Sequence, residues 1–286
     1  KSHFQYLGND TIEIINSEVP SKIFTIICHG YAGSKEMMRQ LAFDIANAGS
    51  NAVIFDFIGH GSNSQKLINN PTELSGTTQQ LVDQVITVID LLKSKYGSDI
   101  KLNLIGHSMA SDIVIRASEK QNISSIAAIS PYSTKVTENF PQDLLLTSGQ
   151  FEKHLRNHSL KLTELIVKDA DENIEYSNGL VRRKASYTKN TGHVSVIYSP
   201  QTSATIIEWF REAINTTNDF IIDVENRNRV RNEHRDDNEV DEDEKYEDDG
   251  IDDIEKLEEE LKEKNVFYIV GLCLELDPDL TLEGLM

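Results

Sequence analysis

Short, almost wholly apolar runs alternate along the first 215 residues with segments in which apolar positions recur every three or four residues. The runs are Ile23 to Cys28, Asn51 to Phe57, Leu102 to Ile105, Ser124 to Ser130 and Leu144 to Thr147. Residues 4–15, a more polar stretch, read as a further strand ahead of the turn Ser17-Glu18-Val19-Pro20-Ser21. Apolar character without a polar alternate suits strands buried on both faces of a sheet. Helical patterns lie between them. Lys35 to Ala48, with Met38, Leu41 and Ile45 on one face, is stopped by Gly49; Thr78 to Lys95, with Leu81, Val82, Val85, Ile86, Ile89 and Leu92, ends at Gly97. Ile113, Val114 and Ala117 mark a third helix, and Ile206, Ile207, Trp209, Phe210 and Ile214 mark a last one over Thr205 to Ile214. Ile174 to Thr191 holds shorter, more polar strand material, and Gln65 to Thr77 reads as a surface loop. Strands alternating with helices predict an α/β fold. Because parallel crossovers are right-handed, that fold is a doubly wound, mainly parallel sheet with helices on both faces.

At 286 residues the chain can bury a full core. Its net charge of -19 argues against a nucleic-acid partner, because such a field repels a polyanion. The acid is not evenly spread. Residues 218–265 hold 21 Asp and Glu against 8 Lys and Arg, a net -13, which leaves a mildly acidic body of -6. Three regions are therefore expected: a domain over 1–217, an acidic, flexible linker over 218–253, and a segment over 254–286. That last segment reads as a helix on Ile254, Leu257 and Leu261, with Glu258/Lys262 and Glu260/Lys264 pairs, and then an apolar strand-like run from Val266 to Leu274. A helix and one strand make no core of their own, so this acidic C-terminal extension is expected to dock on the body, belong to an incomplete module, or pair with a protein partner or a second copy. Asp241 to Asp253 lacks the spacing of a calcium loop. Cys28 and Cys273 are expected as buried free thiols. No signal-like segment and no apolar run near the length of a membrane span is present, which predicts a cytoplasmic protein; a targeting or anchoring signal ahead of Lys1 would lie outside this sequence.

The chemistry centres on Lys101 to Ser111. An apolar strand, the turn Gly106-His107-Ser108-Met109-Ala110 and a helical pattern follow one another, as in a nucleophile elbow of the G-x-S-x-A form. Such a turn strains the serine backbone and needs small residues two places before and after it, here Gly106 and Ala110. In a doubly wound sheet ligands lie at the carboxyl ends of the strands. Those ends are His29-Gly30-Tyr31, Gly59-His60-Gly61, Ser108, Pro131-Tyr132, Gly149 to Glu152 and Gly192-His193. A serine hydroxyl needs a base, and the base needs a carboxylate to fix its tautomer. His193, after a late strand and ahead of the last helix, is the candidate base. His154 and His158 fall in a helical pattern, His29 and His60 in glycine turns, His107 in the elbow, and His3 and His234 near the ends. Glu152, just past the Leu144 to Thr147 strand, is the candidate acid, with Asp169, Asp171 and Glu172 as rivals. The backbone N–H of Met109, and that of Tyr31 in the glycine turn, are the candidate oxyanion donors. This chemistry calls for no cofactor and no metal.

The segments HGYAGSKE, DFIGHGSNS, GHSMA, LLLTSGQFE and GHVSVIYSP, in this order, resemble the α/β-hydrolase superfamily over roughly residues 3–215. The resemblance implies the α/β-hydrolase fold and a serine hydrolase with Ser108 as nucleophile, His193 as base, Glu152 as acid, and Tyr31 and Met109 as oxyanion donors. Two positions depart from the pattern: Ala110 stands where Gly is commoner, and Glu152 where Asp is. Many members carry a cap between the strands near Ser130 and Leu144. About a dozen residues here cannot form one, so a capless or small-lid site is expected, suited to short or surface-accessible acyl groups on a small ester or thioester. A catalytically inactive scaffold of the same fold, or a peptidase or acyltransferase using the same three residues, is left open by the sequence.

Overall fold

The computed structural model describes residues 4–7, 12–67, 74–179 and 181–214. The acidic linker, the C-terminal helix-plus-strand segment and Cys273 lie outside the described residues, as does part of the Gln65 to Thr77 segment.

Nine strands of the described residues form one sheet: β1 (Phe4–Leu7), β2 (Ile12–Ile15), β3 (Ile23–Cys28), β4 (Asn51–Phe55), β5 (Lys101–His107), β6 (Ser125–Ile129), β7 (Asp143–Gly149), β8 (Glu175–Ser177) and β9 (Arg182–Thr188). Their order is β1-β2-β4-β3-β5-β6-β7-β9-β8. From β4 across to β9 all neighbours are parallel. β1, β2 and β8 add antiparallel pairings at the two edges. This is the α/β-hydrolase fold. One expectation needs correction: the single strand expected over residues 4–15 is two, Phe4–Leu7 and Ile12–Ile15, in antiparallel register with Phe4 opposite Ile15 and Leu7 opposite Ile12.

Five α-helices complete the described chain: α1 (Arg39–Asn47), α2 (Gln79–Tyr96), α3 (Met109–Ser118), α4 (Lys153–Thr163) and α5 (Pro200–Ile214). Two begin differently from the pattern. Lys35–Met38 is a tight 3-10 turn ahead of α1, and α5 starts at Pro200, where proline is tolerated because a first-turn N–H has no helical partner. Leu74–Thr78 is a wide helical turn leading into α2.

Each central strand buries both faces, with period two. Phe24, Ile26, Cys28, Leu102, Leu104, Ile126, Ala128, Leu144 and Leu146 pack with α2 and α3. Ile23, Ile27, Ile105, Ala127, Ile129 and Leu145 pack with α1 and α5 on the other side. Cys28 is a buried free thiol, and burial pushes its pKa up.

The chain leaves β3 toward β4 on one side, while β5 lies on the other, so the crevice where the winding reverses opens between the ends of β3 and β5. The segment between β6 and β7 holds no helix and only an isolated bridge, Thr137 to Phe140, so no cap is inserted there. No helix among the described residues is long and apolar enough to cross a membrane.

Candidate active site

Ser108 follows β5 and precedes α3 with φ 53° and ψ -121°, a conformation costly for any residue bearing a β-carbon. The close packing of strand and helix explains its small neighbours. A β-carbon on Gly106 would stand 2.3 Å from the Ala110 carbonyl oxygen and 2.8 Å from Val114 Cγ2. Ser108 N–H donates to the Ile129 carbonyl at 2.8 Å, and Ser111 N–H closes the turn on the Ser108 carbonyl at 2.8 Å. The elbow is thus tied to the end of β6 as well as to its own helix.

The imidazole of His193 faces this serine. Nε2 lies 2.8 Å from Ser108 Oγ, and Nδ1 lies 2.6 Å from Glu152 Oε1. Burial pushes the Glu152 carboxyl up, but hydrogen bonds from His193, Gly149 and Ser130 outweigh it and hold it below the ordinary glutamate value. Glu152 is therefore ionised at neutral pH and accepts only. That fixes the tautomer: Nδ1–H donates to the carboxylate, and Nε2 is left to accept the Ser108 hydroxyl proton. Glu152 is nearly buried, with 8% of its side chain exposed, while 47% of the His193 side chain is open. The relay therefore has a dry end and a wet one.

Glu152 lies at the start of α4, immediately beyond β7. A β-carbon on Gly149 would meet the Thr191 carbonyl oxygen at 2.5 Å, so only glycine lets the loop carrying the acid pack on the loop carrying His193. Phe151 N–H donates to the Thr191 carbonyl at 3.1 Å across the same seam. Two of the rival carboxylates have other partners: Glu172 takes Arg156 Nε and Nη2 on its two oxygens, and Asp169 lies beside exposed Lys168.

The glycine turn after β3 lies directly against the elbow. A β-carbon on Gly30 would come within 3.1 Å of Ser108 Cβ and of His107 Nδ1. Gly33 N–H donates to the Gly30 carbonyl at 3.2 Å, closing a turn over Tyr31 and Ala32, the latter at φ 54°. Met109 is the first residue of α3, where N–H groups lack intrahelical acceptors. The turn is anchored from behind by His29, and the segment that follows it by Asp56. His29 Nδ1–H donates to the Gly30 carbonyl at 2.8 Å while its Nε2 accepts Phe57 N–H at 3.1 Å. Asp56 accepts from Lys35 N–H at 2.8 Å, from Ser62 N–H at 3.0 Å and from Ser62 Oγ at 2.7 Å.

Among the described residues no cluster of three or more His, Cys, Asp or Glu is arranged to hold a metal ion. Phe151 and Val194, chain neighbours of Glu152 and His193, are exposed large apolar side chains.

Residues 20–224 match the sequence pattern of the family described as serine aminopeptidase, S33. The chain belongs to that family. S33 proteins are α/β hydrolases, in agreement with the sheet order and the elbow. Solved structures carry the same fold. TT1662 from Thermus thermophilus superposes with a TM-score of 0.54 at 16% identity over 73% of this chain and 97% of that one. A dienelactone hydrolase from Anabaena variabilis superposes with a TM-score of 0.55 at 11% identity over 70% of this chain and 90% of that one. Among curated proteins none matches the sequence.

Two side chains that touch His193 and Glu152 were missed in the sequence. His107 Nε2 lies 2.8 Å from the His193 carbonyl, and Ser130 Oγ donates to Glu152 Oε2 at 2.7 Å. Their only sequence signal is position, one beside Ser108 and one at a strand's carboxyl end.

Proposed function

We propose that this hydrolase cleaves a carboxylic ester or thioester through an acyl-Ser108 intermediate. The observation that carries the reading is the unbroken line from Ser108 Oγ through the His193 ring to Glu152, begun on a backbone strained at the serine. Ser108 Oγ attacks the acyl carbon as its proton passes to His193 Nε2, and Glu152 steadies the imidazolium without taking a proton. The oxyanion is received by the backbone N–H groups of Met109 and Tyr31, a contribution of about 3 kcal/mol for each donor. His193 then protonates the departing alkoxide or thiolate. Water next gives His193 a proton as it attacks the acyl carbon, and the carboxylic acid leaves with Ser108 restored. The capless opening and the exposed Phe151 and Val194 support short or surface-accessible acyl groups on a small substrate. No cofactor takes part in these steps, and a cytoplasmic setting accords with the sequence.

A fluorophosphonate probe should label Ser108, and Ser108→Ala should abolish both labelling and turnover of p-nitrophenyl acetate. Turnover undiminished in that variant would end this reading. The family description favours a second reading, a peptidase on the same residues. Hydrolysis of aminoacyl p-nitroanilides in preference to p-nitrophenyl esters would select it. An intact fold with no labelling would instead mark an inactive scaffold.

A further inference from the structure

The acid of this site is a glutamate, with one more rotatable bond than an aspartate, and its carboxylate has two oxygens that could each turn toward His193. Oε1 lies on His193 Nδ1 at 2.6 Å. Oε2 is held by two donors, Gly149 N–H at 2.5 Å and Ser130 Oγ at 2.7 Å. The first is a backbone group on the glutamate's own strand end. The second is a side chain reaching across from the neighbouring strand.

Ser130 is unusual in its own right. It lies just past β6, is 1% exposed, and has φ 49°, in the left-handed region that glycine enters freely and other residues enter at a cost. Its N–H donates to the Thr147 carbonyl at 2.7 Å, so the conformation is fixed by the continuing ladder between β6 and β7. Backbone preference alone would put glycine at this position. A serine there, buried and with its hydroxyl spent on Glu152 Oε2, points to the hydroxyl as the reason.

We infer that Ser130 is a positioning residue, which pins the far oxygen of Glu152 so that the near oxygen meets His193 Nδ1 and the imidazole stays aligned on Ser108. The inference rests on the proposed roles of Ser108, His193 and Glu152. It goes beyond them by assigning the adaptation of the site to glutamate to a strained serine on the adjacent strand.

Ser130→Gly separates the hydroxyl from the backbone. It removes the donor and relieves the left-handed strain, two effects on stability of opposite sign, so the variant should melt within a few degrees of the unaltered protein. Its kcat on p-nitrophenyl acetate should fall about tenfold or more, the loss expected for a hydrogen bond to a charged group, while KM stays within about twofold. Ser130→Cys, which keeps a weak donor of similar shape, should fall between the two. In a Glu152→Gln background Ser130→Gly should cost almost nothing further, because the group it acts through is already lost. An unchanged kcat in Ser130→Gly would overturn the inference, as would a full loss persisting in the Glu152→Gln background. If the unaltered protein neither turns over the ester nor reacts at Ser108 with a fluorophosphonate, the reading of the site itself fails, which is a different result.

Discussion

The side chain of His107 is bound to the backbone of His193: its Nε2–H donates to the His193 carbonyl at 2.8 Å, and the two rings lie 5.0 Å apart. The residue before Ser108 therefore sets the height of the loop that carries His193. Burial pushes the His107 ring down to about 4, so it stays neutral and places no cation beside His193. His107→Leu removes the tie and should lower kcat about tenfold with little change in KM. His107→Gln keeps an amide donor near the same point and should recover most of the loss. Steady-state kinetics on a p-nitrophenyl ester checks both. Equal defects in the two variants would show that the hydrogen bond is not what matters.

Gly106→Ala tests the elbow from its other side. The added methyl would stand 2.3 Å from a backbone oxygen of Ala110, which cannot move without unseating the start of α3. The expected cost is about 3 kcal/mol or more, at the top of the range for overpacking, because backbone must shift rather than a side chain. Thermal melting and the soluble yield report it. A variant that melts with the unaltered protein would mean that strand and helix are less closely packed than described.

The sheet was legible because buried parallel strands carry no polar alternation, so runs such as Ile23 to Cys28 stand out against amphipathic helices. Ser108, His193 and Glu152 were legible as candidates because each follows a strand that the pattern marks. What the pattern could not decide was which carboxylate faces His193. Glu172 is taken by Arg156, sixteen residues earlier and across α4, a pairing that no periodicity reveals. His107 and Ser130 were invisible for a related reason. Their partners lie 86 and 22 residues away, on loops brought close only by the order of β5, β6, β7 and β9.

Arg183 is fully buried, and its hydrogen-bond partners are backbone carbonyls: Leu162 at the end of α4 from Nη1 at 2.9 Å, and Thr137, Phe140 and Pro141 from Nη2 at 2.5, 3.1 and 3.4 Å. Burial pushes its pKa down to about 10, so it remains a cation at neutral pH. One guanidinium thus clips the far end of α4 to the segment between β6 and β7. A lysine has one nitrogen and cannot span both. Arg183→Lys should cost about 2 to 3 kcal/mol of stability, as expected when buried carbonyls lose their donors. The reacting atoms are untouched, so kcat per labelled Ser108 should hold. A denaturant titration paired with fluorophosphonate active-site counting separates the two effects.

Acid should unfold this protein well before its carboxylates protonate. His29 and His107 are buried and neutral in the fold, where burial lowers both from 6.5 to about 4. In the unfolded chain they take up protons near 6.5. Between pH 6.5 and 4 the unfolded state binds more protons than the folded one, so stability is full above pH 6.5 and drains away as the pH falls. The slope is about 1.4 kcal/mol per pH unit for each ring. Glu152 adds a second loss lower down. Its folded pKa lies below the model-compound 4.5, since the bonds from His193, Gly149 and Ser130 outweigh burial, so its contribution is present above 4.5 and disappears as the pH falls through the folded value. Urea midpoints measured from pH 7 to 4.5 should therefore fall steeply below about 6.5, and His29→Gln should flatten that slope without abolishing it, since His107 and His158, which burial also holds low, still titrate. A midpoint constant from pH 7 to 5 would mean that the two histidines are not held neutral in the fold, and the tautomer given to His29, with Nδ1–H on the Gly30 carbonyl, would fall with it.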